Sequence, residues 1–204
     1  MRPGGAGFVE TATRVRAHLN QDFRFAHVVR VARFADRLAQ RHGVDPGKAR
    51  TAGLLHDLAR LYSADRLIAE CTERRMPIDA FERAHPIVLH ARLGAEMARD
   101  DFGVDDPEIL SAICKHTVAA AVMEPLDRVV FLADALEPGR DYAERAAIAE
   151  LAFRDMDAAM QAVLLSTVDY LRARGQAIAP QTLAALALAT PLPQSLVSGG
   201  TRPG

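Results

Sequence analysis

The chain has 204 residues, half of them hydrophobic, and a formal net charge of −1. That length suits one domain with a sizeable core, and so even a charge balance gives no reason to expect nucleic-acid binding. No apolar run approaches the roughly 18 residues of a membrane span, the Met1-Arg2-Pro3-Gly4-Gly5 start lacks a signal-peptide core, and Cys71 and Cys114 have no paired metal spacing, so a cytoplasmic protein with free thiols is expected.

Helical periodicity dominates the chain. Residues 1–9 read as a flexible N-terminus and 10–190 as one domain. Val28, Val31, Phe34, Ala35 and Leu38 recur at helical intervals, and Arg41-His42-Gly43 supplies a stop. Asp45-Pro46 reads as an N-cap followed by proline at the first helical position, opening a helix that should run to about Arg60. Ser63 caps the next helix, through about Arg74, and Pro77 interrupts. Two more helices are expected over 86–100 and 106–116, the second opened by Asp105-Asp106-Pro107. Pro125 and Pro138-Gly139 bracket another, a long helix follows over about 144–174, and Pro180 starts a short last one. The stretch from Pro191 to Gly204, rich in Gly, Ser and Pro, reads as a disordered tail. No alternating β-branched run appears, so the expected fold is all-α.

Polar groups interrupt the apolar faces in a repeated way. His27 lies on the stripe with Val31, Phe34 and Leu38. His56 aligns with Ala52 and Ala59, and Asp57 follows it. His90 shares a face with Ile87, Gly94 and Met97; His116 continues Ile109 and Ile113; Asp134 continues Leu126 and Val130. A single buried histidine is ordinarily a satisfied core residue. Five successive helices with the same peculiarity would each need a separate buried partner, whereas one metal centre satisfies them together. Four imidazoles and two carboxylates without thiolate suit Fe, Mn, Co or Zn better than Mg or Ca. Six protein groups exceed what one catalytic ion takes, and two ions sharing Asp57 would use them all.

Among the other ionisable groups, Arg60 follows Asp57 by about one turn and Arg140 follows Asp134, so both are expected to bind phosphate. Lys115 reads as a solvated surface charge. His18 reads as core or partly exposed, His42 as a helix C-terminal cation, and His85 as a turn residue before Pro86.

His27, His56-Asp57 and Asp134 resemble the H…HD…D signature of the HD-domain metal-dependent phosphohydrolases. The run His90-Ala91-Arg92-Leu93-Gly94-Ala95 resembles a segment of the YqeK branch of that family. So do Ala112-Ile113-Cys114-Lys115-His116-Thr117 and Leu132-Ala133-Asp134-Ala135-Leu136-Glu137-Pro138-Gly139-Arg140. With Arg24-x-x-His27 the resemblance spans roughly residues 10–190. It implies a helical bundle that cuts diadenosine tetraphosphate symmetrically into two ADP at an iron-containing site, and it implies a homodimer. It further implies one ion on His27, His56, Asp57 and Asp134 and a second on Asp57, His90 and His116, with Arg60 where the family usually has Lys. Val118-Ala119 departs from the Thr or Ser and Gly that usually follow His-Thr there, at a segment, with Thr117, expected to border the substrate. The catalytic set is then Asp57, Arg60 and Arg140. An HD nucleotidase acting on a mononucleotide, or a non-catalytic nucleotide-binding regulator, are the alternatives.

Overall fold

The computed structural model describes residues 5–189, and all regular structure among them is helical. In chain order the helices are α1 (Gly5–Leu19), α2 (Asp22–His42), α3 (Pro46–Leu55), α4 (Ala64–Glu73), α5 (Ala80–Ala84), α6 (Leu89–Phe102), α7 (Pro107–Lys115), α8 (Pro125–Leu136), α9 (Arg145–Ala152), α10 (Met156–Ala173) and α11 (Pro180–Leu188). A 3-10 turn, Pro86–Val88, leads into α6. No helix of the described residues is long and apolar enough to cross a membrane.

The boundaries follow from local chemistry. α2 stops at Gly43, whose φ of 70° only glycine adopts without strain, and the Gly43 N–H returns to the Ala39 carbonyl. Asp45, Asp106 and Asp155 cap α3, α7 and α10 by accepting backbone N–H groups. α2 lies at the centre, packed along α3 and α8, while α7 packs between α6 and α8. Val28, Val31, Leu38, Leu55, Leu132 and Leu136 are fully buried where these helices meet. Gly53 sets the closest crossing: a Cβ there would lie 2.9 Å from the Ala32 Cα. The backbones of α2 and α3 therefore approach as no larger residue would allow.

Four boundaries differ from the sequence reading. α1 begins at Gly5, inside the stretch 1–9 read as a flexible N-terminus, and it buries Val15 and Leu19. α3 ends at Leu55 rather than near Arg60; Leu58, Arg60 and Tyr62 instead donate to carbonyls three residues back. The helix expected over 144–174 is two, because the Asp155 side chain accepts from Ala158 N and starts α10 afresh. Asp79 and Glu82 form a reciprocal capping box that opens α5, an element not expected after Pro77. The tail 191–204 lies outside the described residues.

Candidate metal centre

The helices deliver six groups to one place. His27 comes from the second turn of α2, and His56 and Asp57 from the turn that ends α3. His90 comes from the first turn of α6, His116 from the end of α7, and Asp134 from the last turn of α8. His27, His56, Asp57, His90 and His116 are all buried. Asp57 Oδ2 lies 3.6 Å from His27 Nε2 and 3.5 Å from His56 Nε2. Asp134 Oδ1 is 3.1 Å and 3.8 Å from the same two nitrogens. The other carboxylate oxygen, Asp57 Oδ1, lies 3.5 Å from His90 Nε2 and 3.8 Å from His116 Nε2, and those nitrogens are 3.1 Å apart. Each oxygen of Asp57 thus faces its own set of donors.

The protonation of the rings is dictated from behind. His56 Nδ1 donates to the Gly53 carbonyl at 2.8 Å, and His116 Nδ1 to the Ile113 carbonyl at 2.7 Å. His90 Nδ1 donates to the Ile87 carbonyl. A carbonyl only accepts, so each Nδ1 carries a proton, and the tautomer this selects turns a bare Nε2 to the centre. His27 Nδ1 lies 3.0 Å from Glu137 Oε1 and is oriented the same way. His27 Nε2 and His56 Nε2 are buried without any hydrogen-bond partner. Lone pairs packed against carboxylate oxygens repel one another unless a cation lies between them. The residues therefore fit a divalent metal: imidazole and carboxylate, no thiolate, donors within 4.8 Å of one another in His27, His56 and Asp134 and again in His56, Asp57 and His116.

Electrostatics support the neutral-imidazole, ionised-carboxylate state. Burial raises the Asp57 carboxyl, but the imidazoles of His56, His116 and His90 outweigh it and bring it to about 2. Burial lowers His116 to about 3 and lowers His90 as well. Glu137 is 1 % exposed; burial raises its carboxyl, and hydrogen bonds from Arg30, His27 and the Gly139 N–H bring it down to about 2. Arg30 Nε donates to Glu137 Oε2 at 2.6 Å. The guanidinium packs closely against Gly139, where a Cβ would sit 2.7 Å from Arg30 Cζ.

An open cleft of about 600 Å³ leads to the centre, lined by Arg24, Asp57, Arg60, Ile87, His90, Thr117, Asp134 and Arg140. Arg60 and Arg140 are thus brought together there. Arg140 Nη2 donates to Asp134 Oδ1 and its Nε to the Asp134 carbonyl at 2.9 Å. Thr117 Oγ1 is 3.1 Å from His90 Nε2 and 3.0 Å from His116 Nε2.

Two participants escaped the sequence reading of the site. Arg24 Nη1 donates to Asp57 Oδ2 at 2.8 Å, and Glu137 backs His27 from 110 positions away. Their only sequence trace is the Arg24-x-x-His27 and Glu137-Pro138-Gly139-Arg140 segments. Lys115 needs correction: it is no solvated surface charge but donates at 2.6 Å to Asp127, which is fully buried. The remaining histidines stay outside the centre. His18 Nε2 bonds the Leu58 carbonyl, His42 Nε2 bonds the Ala152 carbonyl, and His85 packs against Phe81.

The chain is similar to known proteins. The HD-domain family matches residues 24–139, a stretch that holds all six groups. The chain is 31% identical over 170 residues to a Halalkalibacterium halodurans protein named symmetrical bis(5′-nucleosyl)-tetraphosphatase, covering 83% of this chain and 90% of that one. It is 30% identical over 161 residues to the Bacillus subtilis protein of the same name, covering 79% and 86%. The crystal structure of a predicted HD superfamily hydrolase involved in NAD metabolism, from Clostridium acetobutylicum, superposes with a TM-score of 0.85 at 26% identity, over 89% of this chain and 96% of that one. The six clustered donors and the extent of these matches make one conclusion plain: the chain belongs to the HD-domain family.

Proposed function

We propose that the protein hydrolyses a dinucleoside tetraphosphate at its central anhydride bond, converting diadenosine tetraphosphate into two ADP. The observation that carries this reading is the division of Asp57, with Oδ2 facing His27 and His56 and Oδ1 facing His90 and His116. Such a carboxylate suits a two-metal centre. His27, His56, Asp57 and Asp134 would hold one ion, and Asp57, His90 and His116 the other, with iron the first candidate for both. Bound there, divalent ions make water a nucleophile at neutral pH and offset negative charge on a phosphate.

The protein's own side chains supply binding and orientation. Arg60 and Arg140 line the cleft with Arg24 and offer fixed donors to a polyphosphate, which favours the more highly charged transition state. Arg140 donates to Asp134 and also lines the cleft, so its guanidinium is held between a candidate metal ligand and the phosphate path. Thr117 Oγ1 sits among His90 and His116, placed to donate to the same phosphate. In the reaction, water adds to one central phosphorus, the bond from that phosphorus to the bridging oxygen breaks, and the second ADP leaves on that oxygen. The names of the Halalkalibacterium and Bacillus relatives support this substrate.

Hydrolysis in heavy-oxygen water tests it. ADP is expected as the sole nucleotide product, with label on the terminal phosphate of one of each two molecules formed. AMP and ATP in equal amounts would overturn symmetrical cutting. Faster phosphate release from AMP than ADP release from the tetraphosphate would replace the reading with that of a mononucleotidase.

A further inference from the structure

The cleft is chemically one-sided. Seven of its eight lining residues are charged or polar, and Ile87 alone is apolar. Such a lining provides for phosphates, while a purine and its ribose need stacking or apolar contact. Ile87, in the lining, is 43 % exposed, and Phe23, against the guanidinium of the lining residue Arg24, is 65 % exposed. Phe23 lies four residues before His27, one turn nearer the start of α2 on the same face. The Arg24 guanidinium lies 5.6 Å from the Phe23 ring and donates to Asp57 Oδ2 at 2.8 Å, so it spans the distance from centre to ring. Ile87 lies three residues before His90, and its carbonyl accepts a hydrogen bond from His90 Nδ1. His27 belongs with Asp57 Oδ2 and His90 with Asp57 Oδ1. One exposed apolar residue therefore stands beside each half of the centre.

We infer that Phe23 and Ile87 are the nucleoside contacts of this site, one for each end of a dinucleoside polyphosphate. Phe23 stacks on a purine, with the Arg24 guanidinium joining the base subsite to the phosphate subsite; Ile87 gives apolar contact to the second nucleoside. A mononucleotide engages only one of the two, so the pair favours a substrate with a base at both ends. This inference rests on the nucleotide-hydrolase reading above.

The test uses the full chain loaded with metal. The sequence contains no tryptophan, so Phe23→Trp introduces a single indole. ADP is expected to quench its emission saturably, and inorganic tripolyphosphate is not. Equal responses to both ligands, or none to ADP, would overturn the stacking role. Phe23→Ala and Ile87→Ala are each expected to raise KM for diadenosine tetraphosphate by about tenfold, with a smaller change in kcat, as loss of one base contact implies. Phe23→Tyr and Ile87→Leu restore it. Unmoved KM values in an enzyme that still cuts the tetraphosphate overturn the inference and leave the proposed reaction standing. Saturable quenching by ADP without any cutting by the parent enzyme does the reverse.

Discussion

At the scale of single residues, the centre is built by committing the far side of every ring. Three Nδ1 protons go to the carbonyls of Gly53, Ile87 and Ile113, and the fourth to Glu137. Asp57 is the group both donor sets share, so Asp57→Ala should remove a ligand from each ion. We expect turnover below about 1% of the parent together with loss of bound metal, measured by elemental analysis. Near-normal metal content in an active variant would refute the shared ligand. Glu137→Gln keeps the size of the side chain but loses the charge that fixes His27. Metal affinity should fall by about 10- to 100-fold, read as the free-metal concentration for half-occupancy; an unchanged value would reduce Glu137 to a partner of Arg30. The six candidate ligands were legible because each put a polar group on an apolar face. Glu137 and Arg24 were not, since their partners are distant in sequence and only the packing of α2 against α8 and the α3 end brings them near. Lys115 was misread for the same reason, its buried partner lying on α8.

Element boundaries show where local sequence suffices and where it does not. Proline after an aspartate marked α3 and α7 correctly. Asp79-x-x-Glu82 and Asp155 are caps that were equally readable from local spacing. The end of α3 at Leu55 is different, because Leu54-Leu55-His56-Asp57-Leu58-Ala59-Arg60 contains no helix breaker. Tertiary demands open that turn: Leu58 O is taken by His18 of α1, and His56 O lies where a Cβ on Gly94 would come within 3.2 Å. The α2–α3 crossing fixes the distance between His27 and His56, and Gly53 permits it. Gly53→Ala would put a methyl 2.9 Å from the Ala32 Cα and 3.3 Å from the Val31 carbonyl carbon. Backbone cannot yield as a side-chain tip does, so about 1–3 kcal/mol of stability should be lost. Urea unfolding measures this, and a midpoint equal to that of the parent would show that the crossing has slack.

For the molecule as a whole, helix content and the hydrophobic core were legible from periodicity, whereas the coupling of stability to the centre comes only from burial. His116 is brought down to about 3 and His90 is lowered by burial, so both stay neutral in the folded protein at pH values where unfolded histidine takes a proton. The unfolded state then binds more protons below its histidine pKa of roughly 6.5, and stability falls with acid. Their contribution is complete above that pH and declines as pH drops below it, by about 1.4 kcal/mol per unit for His116, whose ring stays neutral down to about 3. Asp57 and Glu137, both held near 2, act in the same direction over a lower window, since their contribution is lost as pH falls below about 4. Chelator-treated protein should therefore show a urea midpoint that declines from pH 7 to pH 5, before any carboxylate titrates. His90→Gln with His116→Gln should flatten that decline. Adding manganese should raise the midpoint at pH 7 and steepen its fall with acid, because protons and the ion compete for the same Nε2 lone pairs. A midpoint independent of pH between 7 and 5 in the metal-free protein, or the same slope in the double variant, would mean that the rings are not kept neutral by the fold.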